Sequence, residues 1–218
     1  MPHFQALAQP WWVNLLVLIP FVAWTVWKRK GLVVTGRQLI LLAVFAGAFG
    51  FVECAVVIYL RAATGLLPGY RGTLSDVRQS SAGTYKQEES ISEFPESLLN
   101  IEVLREAATM VMLTTVALLA GTGRRERSAI FLWTFAVWDI SYYAGLWVTV
   151  RWPSSLKDLD VLFLIPVPWV SQVWFPILIS VLTLVAVALA ARKRGGSVRP
   201  TRQKLPGVTQ ALGEPGAK

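Results

Sequence analysis

The sequence predicts an all-α protein, a transmembrane bundle of five helices, and three observations carry that prediction. The 218 residues are 54% hydrophobic and only 16% charged, against about a quarter charged in an ordinary soluble domain. The mean hydropathy is +0.51. The third observation is the distribution: five apolar runs are each near the roughly 20 residues that a membrane-crossing helix needs. None shows the strict alternation of a barrel strand, and open sheet edges do not survive in hydrocarbon, so helices are the reading that remains.

The first run, 10–27, opens with Trp11 and Trp12 and closes before Lys28, Arg29 and Lys30. Its basic cluster follows the apolar stretch instead of preceding it, the reverse of a cleavable signal peptide. The second run, 38–60, carries Ala43, Ala46, Gly47, Gly50 and Cys54, small residues that let neighbouring helices approach closely. The third and fourth runs, 98–120 and 128–150, are joined by a short turn containing Arg124, Arg125 and Arg127. The fifth, 168–191, follows Pro166 and Pro168, which break a helix and predict a short interfacial or re-entrant piece ahead of it. Between runs two and three, residues 62–97 form a polar, Gly- and Ser-rich outer loop, and 192–218 read as a basic, disordered cytoplasmic tail. Residues 1–191 thus form one bundle domain. No internal repeat supports an inverted-repeat transporter.

Orientation follows from Lys and Arg. With five spans, fourteen of the 21 basic residues fall on one side, in 28–37, 124–127 and the tail. The opposite side mixes Arg61, Arg71, Arg78, Lys86, Arg151 and Lys157 with seven acids. The positive-inside rule then sets the N-terminus out and the C-terminus in. Trp11, Trp12, Trp147, Trp152, Trp169 and Trp174 are expected at the outer interface, and Trp24, Trp27 and Trp133 at the inner one. The net charge of +8 reads as topology plus attraction of the cytoplasmic segments to anionic lipids, with no nucleic-acid partner.

The inventory excludes much chemistry. One histidine, His3, and one cysteine, Cys54, leave no basis for haem ligation, iron–sulfur clusters or His-dependent nucleophilic machinery. No phosphate-binding glycine motif is present, so no nucleotide is expected.

What stands out is a set of ionisable residues inside the apolar runs: Glu53, Glu102, Arg105, Glu106 and Asp139. Each costs roughly 2.5–3.5 kcal/mol at mid-bilayer even on a lenient scale. They must therefore face one another, a polar cavity or a ligand. Helical rise places Glu53 and Glu106 about 10 Å below the outer boundary and Asp139 about 16 Å below it. Glu102 lies one turn above Glu106, Thr109 one turn below it, and Tyr142 and Tyr143 one turn outward of Asp139. An outward-facing carboxylate pocket among spans two to four is predicted, with Tyr59, Tyr142 and Tyr143 as neighbours.

Four carboxylates against one Arg leave a formal charge of −3, to be offset by protons or a cation. A divalent cation would be Mg²⁺, Mn²⁺ or Ca²⁺, held by Glu53, Glu102, Glu106 and Asp139 through oxygen. Alternatively Glu53, Glu106 and Asp139 do acid/base chemistry on a lipid-soluble or external substrate, or relay protons, with Glu102, Arg105 and the tyrosines binding substrate or ion. The structural alternative is helix–helix adhesion, with Arg105 paired to Glu102 or Glu106. At the level of the protein, the alternatives are an accessory subunit that docks a membrane protein partner, and a small proton or cation transporter. The Asp158–Asp160 pair is expected in a solvated loop beside Lys157.

The stretches Gly50-Phe-Val-Glu53, Val56-Val-Ile-Tyr-Leu-Arg61, Arg105-Glu-Ala-Ala-Thr-Met-Val-Met-Leu113, Trp138-Asp-Ile-Ser-Tyr-Tyr143 and Asp160-Val-Leu-Phe-Leu-Ile-Pro-Val-Pro-Trp169 together resemble a group of uncharacterised bacterial multi-pass integral membrane proteins. The resemblance covers roughly residues 50 to 176. It implies a bacterial inner membrane, and carries no substrate, cofactor or catalytic residue.

Overall fold

Two tryptophans, Asn14 and Pro20 shape the start of the first helix. In the computed structural model, which describes residues 7–63 and 96–195, the chain enters as a 3₁₀ stretch, Trp11–Val17, and becomes α1 at Leu18–Trp27. Asn14 ties the entry together by accepting from the Ala8 N–H at 2.9 Å and donating to the Ala8 and Trp11 carbonyls. Pro20 lies in the first turn of α1 and has no N–H to give to the preceding 3₁₀ turn, and the change to α geometry falls just before it.

Four further helices follow: α2 Gly36–Ala63, α3 Glu96–Ala120, α4 Arg124–Val150 and α5 Trp174–Gly195. These four are long and apolar enough to cross a membrane, whereas the helical run Trp11–Trp27 is shorter. Exposed Ile40, Leu41, Val44, Val111, Leu119 and Val185 cover their outer faces. Such a surface is explained by lipid as the surrounding solvent.

α4 is the hub, packing against α2, α3 and α5, while α1 packs on α5. The α2–α4 crossing is close because it is built on small residues. A Cβ on Gly50 would stand 2.5 Å from the Trp138 carbonyl oxygen, and one on Gly145 would stand 3.0 Å from Cys54 Sγ. The α3–α4 turn is equally tight: the Arg127 Nε–H donates to the Gly121 carbonyl at 3.0 Å. At that end, Trp27, Leu32, Leu39, Leu42, Ala117, Ile130 and Val187 form a closed apolar core.

Several expectations are corrected. The sequence reading was all-α, yet the segment ahead of α5 is a β-hairpin, with β1 Leu159–Phe163 antiparallel to β2 Trp169–Gln172. Residues 168–172 belong to that hairpin, so the last helix begins at Trp174 and not at 168. The expected interfacial or re-entrant piece ahead of the last helix is thus built of strands, which fold back against α4. Phe163 stacks on Phe135 at 6.2 Å, one turn before Asp139 along α4. A hairpin packed into the bundle must satisfy its buried backbone groups. Gln9 and Val170 exchange two backbone hydrogen bonds of 2.8 Å, and the turn holds Pro166 and Pro168, which have no N–H to satisfy.

The last helix continues through Arg192 to Gly195, past the expected start of the tail. Trp27 and Trp152 are core residues, 2% and 1% exposed, not members of an interfacial belt. The remainder of the expected outer loop, residues 64–95, and of the tail, 196–218, lies outside the described residues.

Candidate functional site

The polar side chains meet in a chamber bounded by α2, α3, α4, α5 and the hairpin. Its space is about 110 Å³, and its walls include Glu53, Glu102, Arg105, Glu106, Thr109, Asp139, Tyr142, Tyr143 and Asp160. All five ionisable residues singled out in the sequence therefore converge, although their helices start far apart in the chain.

Arg105 is at the centre. Its guanidinium forms an ion pair with Glu53 from α2 and donates to Glu102 Oε2 from Nη2 at 2.7 Å and from Nε at 3.1 Å. The Glu102–Arg105 spacing of three places both on one helix face. Glu53 also accepts from the Thr109 hydroxyl at 3.1 Å. These contacts join α2 to α3 through side chains, whereas the structural alternative pairs Arg105 with Glu102 or Glu106 and not with Glu53. Arg105 chooses Glu53 and Glu102, not Glu106.

Glu106 and Asp139 are held differently. Glu106 accepts the backbone N–H of Leu164, in the hairpin turn, at 2.8 Å. Asp139 accepts the Ser180 hydroxyl from α5 at 2.8 Å. Both are buried, at 8% exposure, and each has one hydrogen bond among the described residues. Of the four carboxyls singled out in the sequence, these are the two with no ion pair at bonding distance among the described residues, and so the two best able to exchange a proton with a guest.

The sequence reading missed part of the wall. Asp160 is not solvated: it is 1% exposed and accepts the Tyr143 hydroxyl at 2.6 Å, which fastens the hairpin to α4. Asp158 does stay in the loop, accepting from the Ser154 N–H and hydroxyl and the Ser155 N–H. Phe163, Trp138, Trp169 and Ser180 were also missed as lining residues. Asp160 inside the apolar run Leu159–Leu164, and Ser180 within an apolar helix, were the available signals. Tyr59 is corrected in the other direction, because it is 71% exposed and faces away from the chamber.

No three His, Cys, Asp or Glu side chains converge to hold a metal ion among the described residues. Glu53, Glu102, Glu106 and Asp139 therefore do not stand as a ready ligand set for Mg²⁺, Mn²⁺ or Ca²⁺. Their oxygens are directed to Arg105, Thr109, Leu164 and Ser180.

Beside the chamber is a second, larger space of about 500 Å³. It shares Leu16, Phe135, Phe163, Trp169, Ile179 and Ser180 with the chamber. Its remaining walls are Ile19 from α1, Ala107 and Met110 from α3, Phe131, Leu132 and Ala136 from α4, Ile165 from the hairpin and Thr183 from α5. Since α1 packs on α5 and α3 on α4, this apolar cleft lies between α1 and α3, with α4 and α5 behind it and the hairpin turn at its head. The chain matches no family model, no curated protein and no solved structure.

Proposed function

We propose that this is a five-span bacterial inner-membrane protein that binds an amphiphile from the bilayer, with the polar head in the chamber and the chain in the cleft. Glu106 and Asp139 are its acid/base groups. The observation that carries this reading is the junction of the two spaces: a buried polar recess adjoining an apolar cleft between two helices. That is the form a lipid-soluble substrate requires, and it favours this substrate over a bare ion. The resemblance to bacterial multi-pass proteins supports the choice of membrane.

The fifth span is the run Trp11–Trp27. Seven residues of 3₁₀-helix and ten of α-helix reach about 29 Å at rises of roughly 2.0 and 1.5 Å per residue, near the hydrocarbon thickness of about 30 Å. With that span the basic segments fall on the cytoplasmic side, N-terminus out and C-terminus in. The chamber then opens toward the outer half of the membrane. The closed core around Trp27 and Ile130 stands between it and the cytoplasm, which argues against a transporter.

Native mass spectrometry of protein released gently from the membrane tests the proposal. The wild type should carry a small amphiphile at one per chain, and Ala107→Phe, which fills the cleft, should lose it while still folding. Bare protein in both cases contradicts the reading, and a stoichiometric second polypeptide favours the accessory-subunit alternative. Glu106→Gln and Asp139→Asn should keep the fold and abolish any conversion of the bound molecule.

A further inference from the structure

Two carboxyl oxygens in the chamber are left open. Glu106 accepts the Leu164 N–H through Oε2, and Asp139 accepts the Ser180 hydroxyl through Oδ2. Their other oxygens, Oε1 and Oδ1, have no partner among the described residues, and they are not sealed from access as the indole Nε1 of Trp138 is. Both residues line the chamber, and both are more than nine-tenths buried, each at 8% exposure. The little surface they keep therefore includes these two oxygens, and it faces the recess. A carboxyl held this deep with one oxygen unused is costly unless a guest donates to it.

The walls narrow the donor. Phe135, Tyr142, Phe163 and Trp169 line the chamber, and none of the four is fully buried. Trp138 joins them, its ring centroid 5.5 Å from Phe135 and 6.2 Å from Tyr142, while Phe163 lies 5.5 Å from Trp169. Aromatic faces attract a cation, more strongly where water is excluded. Arg105 does not fill that role, because Glu53 and Glu102 hold its guanidinium. A phosphate or carboxylate head would bring a like charge to Glu106 and Asp139. A hydroxyl donates to one carboxyl but brings no charge to the rings. A protonated amine does both, through several charge-assisted N–H bonds and a charge presented to the aromatic wall.

Resting on the amphiphile-binding reading, we propose that the guest is a lipid-soluble amine whose protonated head donates to the open oxygens of Glu106 and Asp139 against the aromatic wall. Two sources offer that head: a long-chain amine in the bilayer and a small amine in water. The spaces favour the first, since a chamber of about 110 Å³ adjoins an apolar cleft of about 500 Å³. A compact head fits the smaller and a chain the larger. The carboxylate that accepts from the ammonium is also the group placed to take its proton, which leaves the nitrogen with a free electron pair.

The test is equilibrium binding to the purified full chain in phosphatidylcholine nanodiscs, read by thermal stabilisation. Five probes are titrated: dodecylamine, dodecyltrimethylammonium, dodecanol, dodecyl phosphate and butylamine. Dodecylamine should bind at least ~10-fold more tightly than each of the others, the trimethylammonium because it lacks N–H donors and butylamine because it lacks the chain. Glu106→Gln and Asp139→Asn should each weaken dodecylamine by about 10-fold and leave dodecanol within about 2-fold, while the unliganded unfolding temperature reports a folded protein. The two carboxyls are on separate helices, so one variant serves where the other does not fold, and the ranking of probes on the wild type needs neither. Dodecanol or dodecyl phosphate binding as tightly as dodecylamine overturns the inference and leaves the amphiphile reading standing. So does a trimethylammonium that matches the primary amine, or amine binding that neither variant weakens. Butylamine equal to dodecylamine assigns a water-soluble amine and overturns the amphiphile reading instead. Failure of all five probes overturns both.

Discussion

Arg105 is asked to neutralise two carboxylates, Glu53 and Glu102, at a depth where an uncompensated charge is costly. Removing one partner of such a buried pair leaves the other charged and stranded, typically at 3–5 kcal/mol. Arg105→Met should therefore lower stability by about that amount, and Glu53→Gln combined with Arg105→Gln should recover a good part of the loss. Reversible unfolding in mixed micelles measures both, and additive losses would contradict the pairing. These residues were legible because a charge in an apolar run has nowhere else to go. Tyr59 was misplaced by helix phase: six residues from Glu53, it lies roughly 120° around α2 and emerges on the outer face. Asp160 was hidden because its loop gave no sign of folding back onto Tyr143.

Among the elements, α2 and α4 depend on glycine for their close approach. Gly50→Ala drives a Cβ to 2.5 Å from the Trp138 backbone oxygen, and backbone cannot swing aside as a side-chain tip can. The variant should lose about 1–3 kcal/mol or more. Gly36→Ala, with nothing within 4 Å of its new methyl, should be neutral or slightly stabilising. Equal effects of the two substitutions on the midpoint of unfolding would refute the close crossing. The helices themselves could be read from the sequence, since four of them need only length and apolarity. The hairpin could not. Its run of Val, Leu, Phe and Ile flanked by prolines is equally compatible with a short buried helix, and what decides for strands is long-range. Gln9 pairs with Val170, and Glu106 takes the Leu164 N–H.

At the scale of the whole molecule, the proposed topology, with fourteen basic residues on the cytoplasmic side, would place the chamber in the outer half of the bundle. With Cys54 replaced by Ala, a single cysteine at Lys157 should react with a membrane-impermeant maleimide on intact cells. One at Thr122, exposed in the α3–α4 turn, should react only after lysis. The opposite pattern would invert the bundle and turn the chamber toward the cytoplasm.

An experimental density map of the protein in lipid nanodiscs tests the central claim most directly. The account predicts Glu53, Glu102, Arg105, Glu106 and Asp139 around one recess, with an elongated density running from Trp138 down between α1 and α3. A map in which α1 and α3 close against each other, with those carboxyls dispersed to separate faces of the bundle, would contradict it.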